Sequence, residues 1–278
     1  MDDFRGKVVV VTGAASGLGA EVARSFARRG ARLELCDVDG EGLGEIKTEC
    51  EAMGAEVSTE VVDVSQAWQM EEFRDNVLKR CDHVDVVVNN AGVACGGRFE
   101  DISLENWQWI VGVNYWGVVH GCHFFYPGMK ERGSGHIVNI ASAAAYGPLP
   151  LLTTYCSLKA AVLSFSANLR AEGALCGVGI SAVCPGFMST SIARSMRFCS
   201  ETRRSNREKL GGKVDRFMTG LKASPSRAAE SVVRAVERNR FVINVGPETK
   251  LADFIWRLSR RLNVVGLKYT LRFLEKRL

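Results

Sequence analysis

The stretch "KVVVVTGAASGLG", Lys7 to Gly19, decides how the rest of the chain is read. Its first half is an unbroken run of β-branched residues, the composition of a strand buried on both faces. Its second half places glycines at 13, 17 and 19, and a helical pattern from Leu18 to Arg29 follows at once. Glycine removes the side chain where a backbone must turn tightly and approach a pyrophosphate, and a helix N-terminus meets that negative charge. A glycine-rich turn alone is a weak signal. The strand before it and the helix after it supply the context of a nucleotide site.

Similar runs recur along the chain. "ARLELCD" (31 to 37), "EVSTEVVDV" (56 to 64), "VDVVVNNAG" (84 to 92), "GHIVNIAS" (135 to 142) and "GISAVCPG" (179 to 186) read as further strands, with a shorter seventh near "FVINVG" (241 to 246). Helix-length segments such as Leu104 to Lys130 separate them. Apolar strands alternating with helices predict an α/β chain built as a doubly wound parallel sheet of seven strands, with helices on both faces. At 278 residues, one Rossmann domain over residues 1 to 250 is the default. The second strand ends in "CDVD", where Asp37 can accept both ribose hydroxyls of an adenosine and would repel a 2′-phosphate. The cofactor expectation is therefore NAD, with NADP as the alternative. Asp63 in "VVDVS" is placed to bind the adenine edge.

Composition narrows the setting. Nine cysteines are scattered singly with no CxxC pair, which argues against a disulfide framework and a zinc site. The expectation is no metal and a reducing cytoplasm. The N-terminal "MDDFRGK" lacks an apolar signal core, and no run of about 18 apolar residues is present. Net charge is +5, all of it carried by Leu251 to Leu278, with seven basic and two acidic residues. A second basic run, Arg197 to Lys209, reads as a solvated face, and no nucleic-acid module accompanies either run.

"YCSLK", Tyr155 to Lys159, places a phenol and an amine one helical turn apart. Together with "TGAASGLG", "NNAG" (Asn89 to Gly92), Asn114 in "VNYWG", Ser142 in "VNIAS" and "PGFMST" (Pro185 to Thr190), it makes the chain resemble the classical short-chain dehydrogenases/reductases over residues 5 to 250. The resemblance implies hydride transfer between a nicotinamide and a carbinol carbon, with Asn114, Ser142, Tyr155 and Lys159 as the catalytic tetrad. Tyr155 would be the general acid/base, its pKa lowered by Lys159 and by the positive nicotinamide ring. Ser142 would hold the substrate oxygen, and Asn114 a water leading to Lys159. The cofactor would be held by Gly13, Ser16, Gly17, Leu18, Gly19, Asp37, Asp63, Val64, Asn90, Ala91, Gly92, Tyr155, Lys159, Pro185, Gly186, Met188 and Thr190. "NNAG" reads equally as a brace of the sheet. A homodimer or homotetramer is the expected assembly.

Small and apolar residues surround these motifs. Ala143, Ala144, Leu149, Phe187, Ile192 and Met196 would suit a hydrophobic alcohol or ketone, with Tyr146 as one polar contact. The tryptophans near Asn114 read as helix packing. The irregular stretch Ser189 to Ser224 is expected to be a substrate lid, followed by a helix that Ser224 can cap. Residues 251 to 278 form a basic amphipathic extension, with Leu251, Phe254, Ile255, Leu258 and Leu262 on one stripe. That stripe would pack on protein or, alternatively, lie in a membrane interface. A non-catalytic nucleotide-binding module is the other competing reading.

Overall fold

The structure, a computed structural model, describes residues 3–147, 149–186, 188, 196–199 and 224–259. Seven parallel strands form the main sheet: β1 (Val8–Thr12), β2 (Arg32–Asp37), β3 (Val57–Val61), β4 (Val86–Asn89), β6 (Gly135–Ile140), β7 (Val178–Pro185) and β9 (Val242–Val245). Their order is β3-β2-β1-β4-β6-β7-β9. β5 (Cys95–Gly96) and β8 (Arg197–Phe198) make a separate two-stranded ladder. Strand order reverses between β1 and β4, and ligands of open parallel sheets bind beyond the strand ends at such a point.

The central strands β1 and β4 are apolar but for their last residue because both faces are covered, whereas the edge strand β3 carries Ser58, Thr59 and Glu60 and is only partly buried. Val9 and Val11 belong to one core with Leu33, Leu35, Val86 and Val88, while Val8 and Val10 belong to another with Cys36 and Val87. This is the two-residue alternation of a pleated strand, with neither face left to water. Helices α1 (Gly17–Ala27), α2 (Gly40–Ala52) and α7 (Pro225–Glu237) cover the first face. On the second lie α3 (Ala67–Arg80), α5 (Gly117–Arg132) and α6 (Thr153–Ala174). Glu230 of α7 ties to Arg29 (2.7 Å) and Ser25 (3.2 Å) at the end of α1.

Two local expectations change. The long helix predicted over Leu104 to Lys130 is α4 (Leu104–Val111), a π turn over Gly112–Trp116, then α5. Gly117 N–H donates to the Gly112 carbonyl, an i to i+5 bond. Glycine is needed at 117 because a Cβ there would lie 2.7 Å from Val64. Ser224 stands at the N-cap of α7 with extended backbone, but its hydroxyl pairs with Ser226 (2.6 Å) instead of capping.

α8 (Pro247–Leu258) runs across residue 250 and packs through Ala252 and Trp256. Leu251, Phe254 and Leu258 of the apolar stripe are 58%, 62% and 67% exposed, so within one chain the stripe does not pack on the core. Leu262 and the second apolar repeat lie outside the described residues. So does most of the Ser189 to Ser224 stretch. Among the described residues no helix is long and apolar enough to cross a membrane.

His136 is buried between β6 and β7, with Nε2 2.8 Å from Ser181 Oγ. Burial lowers its pKa from 6.5 to about 3, so the folded chain keeps it neutral where the unfolded chain protonates it. The stability that follows is complete above pH 6.5 and is lost as pH falls toward 3. Between pH 6 and 4, wild-type unfolding free energy should fall about 1.4 kcal/mol per pH unit more steeply than that of His136→Asn. Parallel curves in urea titrations would show that His136 is not kept neutral by the fold.

Candidate active site

The site starts where β1 ends. Gly13 and Gly17 have φ of 66° and 57°, the left-handed region that glycine tolerates best. A Cβ at Gly13 would lie 2.6 Å from Ala91 Cα, and one at Gly19 would run into the Gly13 carbonyl oxygen. Asn90 occupies the remaining gap, its Nδ2 donating to the carbonyls of Thr12 (3.0 Å) and Gly13 (2.9 Å). Thr12 Oγ1 accepts in return from Asn90 N and Ala91 N, both at 3.1 Å. "NNAG" thus braces the ends of β1 and β4, and Asn90, Ala91 and Gly92 also line the cavity beside them.

That cavity measures about 670 Å³ and collects the carboxyl ends of β1, β2, β4, β6 and β7. Gly13, Ser16, Gly17, Leu18, Asp37, Asp63, Val64, Pro185, Gly186 and Met188 line it. Gly19 does not, and its work is close packing. Asp37 Oδ2 accepts from Ala15 N (3.0 Å) and Oδ1 from Asp39 N (3.1 Å), which fixes the carboxylate while each oxygen keeps capacity for another donor. Asp63 Oδ1 accepts from Ser65 N (2.9 Å). A glycine cradle with no room for side chains, beside two oriented carboxylates, fits a dinucleotide. Thr190 lies outside the described residues.

Ser142, Tyr155 and Lys159 line the same cavity. Ser142 follows β6, while Tyr155 and Lys159 share one face of α6. Ser142 Oγ accepts from Ala144 N (3.1 Å) and stands beside the Tyr155 phenol in the cavity wall. Lys159 is 3% exposed, donates to the Ile140 carbonyl (2.8 Å), and has two more N–H donors for a ligand or water. Asn114 is fully buried in the π turn, away from the cavity wall. Its Oδ1 accepts from Val93 N and its Nδ2 donates to Val93 O, both at 2.8 Å. Asn114 Oδ1 and Lys159 Nζ still converge on Gly92, 3.5 and 3.7 Å from where its Cβ would stand.

The phenol departs from the expected direction. Burial pushes Tyr155 up to about 12, and the neighbouring Ser142 hydroxyl only partly opposes it. The same burial brings Lys159 down to about 8. The ammonium lies over the Tyr155 ring, 5.7 Å from its centroid, and is bonded to Ile140. In the chain by itself desolvation therefore outweighs the ammonium.

Ala143, Ala144, Leu149 and Met196 line the cavity, while Phe187 and Ile192 lie outside the described residues. Tyr146 does not reach it. Its hydroxyl donates to Asn244 Oδ1 (2.8 Å) and lies 3.2 Å from Cys184 Sγ inside the core. Trp109, expected to pack, lines the cavity with Arg197 over its ring at 3.7 Å. Glu248 was invisible to motif reading because it lies in the first turn of α8, far along the chain. It lines the cavity against Gly186, and its buried Oε1 has no hydrogen-bond partner among the described residues.

Comparison with known proteins agrees with this geometry. The family model described as "short chain dehydrogenase" matches residues 7–198. A "Probable oxidoreductase EphD" of Mycobacterium tuberculosis is 39% identical over 249 residues, 88% of this chain but 42% of that protein. The chain thus spans less than half the length of that relative. A short-chain dehydrogenase/reductase from Burkholderia phymatum, solved with NAD, is 34% identical with a TM-score of 0.80 over 88% of this chain and 90% of its own. An alcohol dehydrogenase from Thermococcus sibiricus, solved with 5-hydroxy-NADP, is 28% identical with a TM-score of 0.72 over 87% and 95%.

Gly19→Ala probes the cradle. The added methyl must push the Gly13 carbonyl or Asn90 aside, an overpacking that costs about 1–3 kcal/mol. Dinucleotide affinity measured by calorimetry should fall at least about ten-fold for the upper part of that range. Unchanged affinity would mean that the turn does not hold the cofactor.

Proposed function

The chain belongs to the short-chain dehydrogenase family, and from that premise we propose that it is an NAD-dependent oxidoreductase acting on a hydrophobic secondary alcohol or its ketone. The observation that carries this reading is that Ser142, Tyr155 and Lys159 share one cavity with the glycine cradle, the Lys159 ammonium 5.7 Å from the centre of the Tyr155 ring. Bound there, NAD supplies the hydride acceptor at its nicotinamide ring.

The chain's own groups supply the rest. Ser142 holds the substrate oxygen, and Tyr155 gives or takes the hydroxyl proton. A phenol held near 12 is protonated at neutral pH and ready to act as the acid in ketone reduction. Alcohol oxidation needs phenolate, which positive charge added by the oxidised cofactor favours. Lys159 offers its remaining donors to the ribose next to the substrate. Asn114, engaged on both sides by Val93, is a positioning residue between β4 and α6. Ala143, Ala144, Leu149, Trp109 and Met196 support a hydrophobic substrate, and Glu248 adds an acceptor for one N–H or O–H donor.

Turnover of a panel of secondary alcohols and ketones, followed by NADH absorbance, tests the activity. Tyr155→Phe should remove activity by several orders of magnitude and leave NADH binding within a few fold, because the hydroxyl moves the proton and adds little to cofactor affinity. A variant keeping more than about a tenth of the wild-type rate would refute the role.

Cofactor choice rests on Asp37. Asp37→Ala should weaken NAD binding by losing charge-assisted hydrogen bonds, and should improve the use of NADP by relieving repulsion of the 2′-phosphate. Initial rates with both cofactors decide it. A wild-type protein that already prefers NADP would overturn the NAD assignment.

A further inference from the structure

All nine cysteines are free thiols, and two of them meet. Cys95 on β5 and Cys199, just after β8, are 104 residues apart in the chain, yet their sulfurs are 2.8 Å apart. A covalent disulfide spans about 2.05 Å, so little movement separates contact from bond. The two backbones are already aligned by the β5–β8 ladder, in which Arg197 N donates to Ala94 O and Cys199 N to Gly96 O, both at 3.0 Å. Gly97 N, bonded to Leu151 O at 2.9 Å, anchors the same loop to the segment that leads into α6.

The two thiols are unequal. Cys95 is fully buried, and burial followed by the Cys199 contact pushes its thiol up to about 12, against the pull of Arg197. Cys199 is only partly buried and is the sulfur an oxidant meets first. Both belong to the apolar cluster that contains Trp109 and Tyr155. Ala94 and Met196, the neighbours of this ladder, line the active cavity.

We propose that Cys95 and Cys199 form a reversible intrachain disulfide, a modification site that fixes the Met196–Cys199 segment to the wall of the active cavity. The oxidant is a hydroperoxide. Cys199, as thiolate, attacks one peroxide oxygen, the O–O bond breaks, and the sulfur becomes a sulfenic acid while the leaving oxygen departs as water or alcohol. The Cys95 sulfur then attacks Cys199, the S–O bond breaks, and the leaving hydroxide takes the Cys95 proton as water. Two thiols have lost two electrons and two hydrogens, and one peroxide has been reduced. A small thiol reverses the bond by exchange.

Titration of the reduced full-length chain with hydrogen peroxide, followed by thiol counting and peptide mass mapping, tests the assignment. The expected result is loss of two thiols, one cross-linked peptide pair containing Cys95 and Cys199, and recovery with dithiothreitol. Cys95→Ser and Cys199→Ser should each abolish the cross-link, and Cys176→Ser should leave it intact. Sulfinic acid at Cys199 without a cross-link, or pairing with another cysteine or another chain, would overturn the proposal.

The effect on turnover rests on the oxidoreductase reading above. Oxidised wild type should show a KM for a bulky alcohol changed by at least about three-fold, with NADH affinity held within two-fold, and Cys199→Ser should not respond to peroxide. A chain that cross-links but turns over no alcohol would count against the oxidoreductase reading and leave the disulfide standing. An active chain that does not cross-link would remove the disulfide alone.

Discussion

The absence of room between the end of β1 and the end of β4 is the constraint on which the rest of the site depends. Gly13 and Gly19 close on Ala91 and Asn90 so tightly that an added methyl group must displace a neighbour, and Asn90 and Ala91 make four hydrogen bonds to Thr12 and Gly13 across the join. Buried backbone donors and acceptors left unpaired there would each cost about 1–3 kcal/mol, so these bonds hold the sheet's switch point in one geometry. Everything downstream is aimed from it. Ala15, two residues past Gly13, fixes Asp37, and Val93, one residue past Gly92, fixes Asn114.

Burial is the second organising effect, and it acts on proton affinity. Lys159 and Tyr155 are held where the neutral form of each is favoured, Lys159 brought down to about 8 and Tyr155 raised to about 12. Such perturbed pairs in a cavity are a recurrent feature of catalytic sites. Under the proposed function the chain without cofactor is set as a proton donor, and its conversion to a proton acceptor draws on positive charge that arrives with the ligand.

Much of this was legible in the sequence. The strands announced themselves because both faces of a doubly wound sheet are buried, so Val8 to Val11 and Val86 to Val88 needed no polar alternation. Ser142, Tyr155 and Lys159 could be named because the resemblance to the short-chain dehydrogenases/reductases marks them, and the structure brings all three to one cavity. Periodicity could not show the π turn at Gly112–Trp116, since one inserted residue hardly disturbs a 3.6-residue pattern. Nor could it tell which way Tyr146 points, because Asn244, its partner, comes from β9 almost a hundred residues later. Trp109, Glu248 and the Cys95–Cys199 contact were hidden for the same reason. Their significance lies in long-range neighbours and not in local spacing.

The central claim is that a hydride passes directly between a carbinol carbon and the nicotinamide within this cavity. The most direct measurement is a reaction with a secondary alcohol deuterated at the carbinol carbon, with the reduced cofactor analysed by NMR. The account predicts deuterium at C4 of the nicotinamide, on one face only, together with a primary isotope effect on kcat/KM. Label released to solvent, or spread over both faces of C4, would contradict it.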